Sequence, residues 1–275
     1  MNARILVNGV AAEQVSVLDR GLAYGDGLFE SIRLVGAVAP LWSRHMQRLM
    51  HSCERLRMPL PDTEQLWHEV LQVSREMPQS VVRITLTRGV GERGYAPPAV
   101  PQPTCVVAAF APPQTPAQMY AQGVRMRVCG TRLAEQPLLA GMKHLNRLEQ
   151  VLARAEWNDP AIAEGVLCDS HNRVISATMA NLFAVVDGVL RTPALDRCGV
   201  AGVARAEVLA ACPQTRVGEL TLTDLWHASE VFLSSSVRGI LPVCFLGDQD
   251  YAVGDIARQM QRHWRNLRFS MEQGG

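Results

Sequence analysis

The sequence predicts an α+β fold of two mixed α/β domains, and three observations carry that reading. Strand-like alternation and helix-like spacing interleave along the whole chain, hairpin patterns occur in both halves, and a proline-rich run near the middle separates them. At roughly 100–200 residues per domain, 275 residues suit two modest domains. We expect an N-terminal domain over 1–112, a linker over 113–118 and a C-terminal domain over 119–275.

Each element has its own pattern. The chain opens with Ile5-Leu6-Val7 followed by Asn8-Gly9, a pair that suits the two positive-φ positions of a tight β-hairpin turn. Residues 28–35 read as a strand. From 41 to 56, apolar or bulky residues at 42, 46, 49, 50, 53 and 56 follow a helical spacing. A second helix is expected over 63–76, with Asp62 to cap it and Pro78 to stop it. Val82, Ile84 and Leu86 then alternate with polar neighbours in a strand over 81–87. Seven prolines between 96 and 116 surround one apolar segment, 104–110, and the run 111–116 ends the first domain. Beyond it, strands are expected near 124–128, 165–168, 173–175, 181–186, 189–191 and 230–234, and helices near 145–157, 201–211 and 253–267.

Composition excludes several classes of function. Lys plus Arg number 27 and Asp plus Glu 26, a net charge of +1, so no global field draws the chain to nucleic acid or to anionic lipid. Seven widely spaced cysteines, an odd number, point to a reducing cytoplasm rather than a disulfide framework. No apolar run reaches the ~20 residues of a membrane span, and the N-terminus lacks the apolar core of a signal peptide. The reading is a cytoplasmic protein with no membrane and no nucleic-acid partner.

Familiar motifs mostly fail on context. Gly89, Gly91 and Gly94 spell G-x-G-x-x-G, but a dinucleotide fingerprint must open a helix, and Tyr95-Ala96-Pro97-Pro98 does not. The histidines are scattered and no Cys-x-x-Cys or His-Glu-x-x-His occurs, so no metal site is expected. Gly-x-Ser-x-Gly is absent as well.

Lys143 stands apart. It is the only lysine beside 26 arginines, at an expected strand-to-helix junction within Gly141-Met142-Lys143-His144-Leu145-Asn146-Arg147-Leu148-Glu149-Gln150. Arginine cannot give up its proton in a protein, whereas lysine serves as amine nucleophile and base. Pyridoxal phosphate is the carbonyl cofactor that such a lysine would carry, and it needs a phosphate cradle. Gly199 to Arg205, before the expected helix, and Ser234-Ser235-Ser236, at a strand end, are candidates for it.

At this point a resemblance becomes specific. Asp19-Arg20-Gly21, Tyr24-Gly25-Asp26-Gly27-Leu28-Phe29-Glu30, His45-Met46-Gln47-Arg48-Leu49, Thr87 to Tyr95, Lys143 to Gln150, Ala180-Asn181-Leu182-Phe183 and Gly199 to Arg205 resemble the fold-type IV pyridoxal-phosphate enzymes. Within them, Gly141 to Gln150 and the Arg93-Gly94-Tyr95 ending are similar to the 4-amino-4-deoxychorismate lyases. The resemblance implies a homodimer with the cofactor at the domain interface, and a lyase that yields 4-aminobenzoate and pyruvate for folate biosynthesis. It also implies Lys143 as the residue that holds the cofactor and moves protons. Arg48 is implied at the phosphate, with the amides of Val203 and Ala204 and a hydroxyl of Ser235 or Ser236. Phe29, Arg93 and Tyr95 are implied at the substrate. Ala204 stands where relatives often carry threonine. Ser176 stands where they carry the glutamate that meets the pyridine nitrogen, which should leave the ring a weaker electron sink. A D-amino acid or branched-chain transaminase of the same fold is the alternative, and a non-catalytic binding protein on a decayed enzyme fold is a more distant one.

Overall fold

The computed structural model describes residues 4–269, and the chain divides into two compact units, Met1–Pro112 with Met142–Asn146, and Pro113–Gly141 with Arg147–Gly275. In the first, β1 (Ile5–Val7) and β2 (Val10–Ala11) form the expected hairpin, with Asn8 and Gly9 at φ of 50° and 78°. Helix α1 (Arg20–Tyr24), which the sequence pattern does not reveal, is capped by Asp19, whose carboxylate accepts from Gly21 N at 2.7 Å. Strand β3 (Gly27–Val35), helices α2 (Trp42–Leu56) and α3 (Thr63–Ser74), and strands β4 (Gln79–Thr87) and β5 (Thr104–Phe110) follow. Helix α3 ends at Ser74, short of the expected 76, and Glu76 turns the chain with a φ of 68°.

The five strands are antiparallel in the order β2-β1-β5-β4-β3. The alternation of β4 buries Val82, Ile84 and Leu86, which join Ile32, Leu34, Leu49, Val70 and Val107 in the core. Strand β3 is an edge strand, and the Met142–Asn146 segment lies along its outer side.

The second unit opens with α4 (Ala117–Gln122), which begins inside the stretch expected as linker. It continues through β6 (Val124–Leu133), α5 (Leu148–Arg154), β7 (Ile162–Asp169), β8 (Val174–Ala177), β9 (Asn181–Val186), β10 (Val189–Pro193) and α6 (Val203–Ala211). The remaining elements are β11 (Arg216–Gly218), α7 (Leu222–Trp226), β12 (Glu230–Ser235), β13 (Gly239–Leu246), β14 (Gln249–Asp250) and α8 (Asp255–Asn266). The sheet runs β11-β10-β9-β12-β13-β6-β7-β8, with β14 beside β13. The pairs β10–β11, β13–β6 and β6–β7 are parallel and the others antiparallel. Its centre is apolar: Phe183 and Phe232 face each other in register and stack at 5.0 Å. Among the described residues, no helix is long and apolar enough to cross a membrane.

The cap of α3 makes a direct test of the local reasoning. The Asp62 carboxylate accepts from Glu64 N at 2.9 Å and Gln65 N at 3.1 Å. Asp62→Ala should lower unfolding free energy by about 1 kcal/mol in urea titration. An unchanged midpoint would show that the cap contributes nothing.

Candidate active site

Lys143 owes its position to backbone pairing. Phe29 N donates to Lys143 O at 2.9 Å, Leu145 N donates to Gly27 O at 3.0 Å, and Leu28 pairs antiparallel with His144. These bonds hold residues 143–145 extended, so the helix expected from 145 begins only at Leu148 and ends at Arg154. Lys143 therefore stands on an added strand-like segment rather than at the helix start.

From there the Lys143 Nζ lies 4.1 Å from the centre of the Phe29 ring, and the Arg83 guanidinium lies 4.3 Å from the same centre. The register explains the second contact, since Phe29 faces Thr85 across the sheet and Arg83 is its diagonal neighbour. Arg83 has no acidic partner among the described residues: its Nε donates to Thr85 Oγ1 at 3.3 Å, and burial alone holds its pKa below the ordinary value. An exposed guanidinium beside the Lys143 amine is suited to an anionic group of a substrate. Sequence reasoning missed Arg83. Its only trace there is a charged residue at an outward position of an alternating strand.

Strand β3 also carries a buried ionic cluster. Glu30 accepts from Arg48 Nε at 2.8 Å, ion-pairs with Arg48 Nη2, and meets His45 Nδ1 at 2.6 Å. His45 and Arg48 share a face of α2 because they are three residues apart. Burial works to raise the Glu30 pKa, but the charges and hydrogen bonds of Arg48 and His45 outweigh it and hold the carboxyl at about 2. Burial pushes His45 below its usual range, against the pull of Glu30, so the ring is neutral near pH 7 and donates through Nδ1. Arg48 is thus fixed by Glu30 through two of its donors. It is not a solvated helix-surface arginine.

In the second unit, β9, β12 and α6 converge on a set of hydrogen-bond donors. Asn181 Nδ2 donates to Val200 O at 2.9 Å and its Oδ1 accepts from Gly202 N at 3.1 Å, which ties down the turn before α6. A side chain at Gly202 would place its Cβ 2.0 Å from Asn181 Oδ1, so glycine is required there. The nine-residue helix begins at Val203 and Ala204 without any side chain capping it. Ser234 faces Asn181 in register, and its Oγ is buried with no hydrogen-bond partner among the described residues. Ser235 Oγ instead accepts from Arg238 N at 2.9 Å, closing a turn that the buried Glu164 holds by its ion pair with Arg238. Ser236 follows in that turn. Ser176 is buried on β8, opposite Leu167. Glu135, Asp169 and His171 come together elsewhere in this unit, but both carboxylates are already engaged by Arg173.

Arg93 and Tyr95 lie on an exposed loop that follows β4. The G-x-G-x-x-G stretch is this loop and not a helix entry, with Gly89 and Gly94 at φ of 86° and 103°. The Tyr95 ring lies 5.5 Å from that of Tyr24.

Comparison with known proteins fits this arrangement. Residues 27–245 match the family described as Amino-transferase class IV, and the chain belongs to it. Over 263 residues, 93% of this chain and 97% of the other, it is 36% identical to the aminodeoxychorismate lyase of Vibrio harveyi. The crystal structure of 4-amino-4-deoxychorismate lyase from Pseudomonas aeruginosa superposes with a TM-score of 0.91 at 45% identity, covering 95% of this chain and 98% of that one. The branched-chain amino acid aminotransferase of Escherichia coli gives 0.87 at 26% identity, covering 99% and 97%. The cofactor is pyridoxal phosphate, as in the family. Each unit holds residues whose chemistry fits it: in the first, the only lysine of the chain has the amine that the cofactor needs, and in the second, the uncapped start of α6 and a Ser234 hydroxyl without a partner among the described residues are donors of the kind a phosphate takes.

The Glu30 cluster has a pH signature. Its pKa of about 2 lies below the ordinary 4.5, so the stability it confers is complete above 4.5 and is lost as pH falls through 2. Glu30→Gln should cost about 3 kcal/mol at pH 7 by stranding Arg48, and should flatten the acid limb of the stability curve in that window. Identical acid limbs for both proteins would contradict the cluster.

Proposed function

We propose that this protein is a pyridoxal-phosphate-dependent lyase that converts 4-amino-4-deoxychorismate to 4-aminobenzoate and pyruvate, a step in folate biosynthesis. The observation that carries the reading is the only lysine of the chain, backbone-anchored and resting over Phe29 beside an arginine that lacks an acidic partner among the described residues. The extent of the likeness to the lyases of Vibrio harveyi and Pseudomonas aeruginosa supports it further.

In this reading Lys143 carries the cofactor on its amine. Arg48, held by Glu30, pairs with the phosphate, and the amides of Val203 and Ala204 receive the same group with a hydroxyl of Ser235 or Ser236. Ser234, buried and without a partner among the described residues, is a further donor. Bound pyridoxal phosphate supplies an electron sink. Lys143, with its amine free, would take the proton from ring C4 and return a proton to the methylene carbon of the departing enolpyruvyl group, which would leave as pyruvate. Arg83, Arg93 and Tyr95 bind the substrate carboxylates, and Phe29 flanks the reacting ring. Ser176 would stand beside the pyridine nitrogen. Being neutral, it cannot hold a pyridinium as an ion pair, and aromatisation of the product lessens the demand on the sink. The enzyme works as a homodimer in the cytoplasm, where its free thiols stay reduced.

Incubation of the cofactor-loaded protein with 4-amino-4-deoxychorismate should release pyruvate and 4-aminobenzoate in equal amounts. Amino exchange between glutamate and a 2-oxo acid without pyruvate release would establish the transaminase instead. Arg83→Met should raise KM about tenfold or more through loss of a charged hydrogen bond, with fold and cofactor binding retained. An unchanged KM would remove Arg83 from the substrate site.

A further inference from the structure

The loop that carries Arg93 and Tyr95 has little apolar burial to order it. Residues 92–96 are all exposed, and Tyr95 retains 86% of its accessible surface. Loops of this kind are ordinarily mobile, because nothing offsets the conformational entropy of fixing them.

One buried side chain grips this loop by its backbone. Arg20, 4% exposed, donates from Nη1 to Gly94 O at 3.1 Å and to Ala96 O at 3.2 Å, and from Nη2 to Tyr95 O at 3.0 Å. Its Nε is anchored on Asp26 at 2.9 Å, and its guanidinium lies 5.0 Å from the centre of the Tyr24 ring. Three successive carbonyls are therefore drawn onto one planar fork, which leaves the Arg93 and Tyr95 side chains on the solvent side. The surroundings strengthen the grip: Arg20 N donates to Gly89 O at 2.9 Å, Tyr24 Oη accepts from Gly94 N at 3.1 Å, and the Tyr24 and Tyr95 rings touch. Gly91 leaves room for the arm, since a Cβ there would stand 2.9 Å from Arg20 Cδ. A desolvated arginine that binds backbone and packs no core is better accounted for by placement than by stability.

We propose that Arg20 is a positioning residue that holds the 89–96 loop in the form in which Arg93 and Tyr95 meet a carboxylate of the substrate. The proposal rests on the reading of Arg93 and Tyr95 given above. Asp26 does not depend on Arg20 alone for charge balance, because Arg88 binds it at 2.8 and 3.0 Å and stays its partner when Arg20 is replaced.

The test uses the cofactor-loaded protein and two variants. Arg20→Lys keeps the charge and loses the planar fork, and Gly91→Ala displaces the arm while Arg20 stays in place. Both should raise KM for 4-amino-4-deoxychorismate about tenfold with kcat within about threefold, because the substrate is misplaced and the chemistry is not. Retention of cofactor, read as the fraction trapped by borohydride, should not change, and trypsin should cleave after Arg93 faster than in the parent protein. Unchanged KM and unchanged cleavage in Gly91→Ala, whether or not Arg20→Lys folds, would overturn the proposal. So would a loss of cofactor that parallels the rise in KM, which marks a general structural role. If the parent protein releases no pyruvate, the substrate reading is what fails, and the trypsin rates still decide whether Arg20 holds the loop.

Discussion

The free edge of β3 is the constraint on which the first unit depends. An unpaired edge strand exposes a row of N–H and C=O groups, and here two hydrogen bonds to residues 143 and 145 satisfy part of it. The same bonds take residues 143–145 out of the helix that their sequence suggests and fix the backbone of the only lysine. Strand β3 then serves two purposes: Phe29 lies under the amine, and Glu30, its neighbour, holds Arg48 in a cluster whose His45 feels the Lys143 charge.

Arginine carries most of the remaining order. Glu30 with Arg48, Asp26 with Arg20 and Arg88, and Glu164 with Arg238 are buried or nearly buried pairs. Such pairs recover little more than the cost of desolvating both ions, so their value lies in fixing geometry. Each fixes a segment within its own unit that the proposed function uses: the arm of Arg48, the loop of Arg93 and Tyr95, and the turn that bears Ser235 and Ser236. With arginine doing this work throughout, the proposed function gives the only lysine the one role that needs an amine able to lose a proton.

Much of the fold was legible because local patterns set it. The Asn8-Gly9 hairpin, the Asp62 cap and the β4 alternation depend on neighbours in sequence, and each appears where the residues place it. Strand β13 was not legible, since Pro242 argues against a strand although it pairs with Phe232 inside the sheet. Helix α5 was overstated because the edge of β3, distant in sequence, competes for its first residues. Among the candidate site residues, the solitary lysine and the small residues before α6 stand out in the sequence itself. Arg83 and Ser234 do not, because their significance comes from cross-strand register with Thr85 and Asn181 rather than from any motif.

Lys143, as the amine that carries the cofactor, is central to the proposed chemistry. The most direct measurement is borohydride reduction of the pyridoxal-phosphate-loaded protein, followed by peptide mass spectrometry. A single pyridoxyl-modified peptide with the mass increment on Lys143 is the expected result. A protein that binds the cofactor but yields no modified peptide, or one modified elsewhere than Lys143, would contradict the central claim.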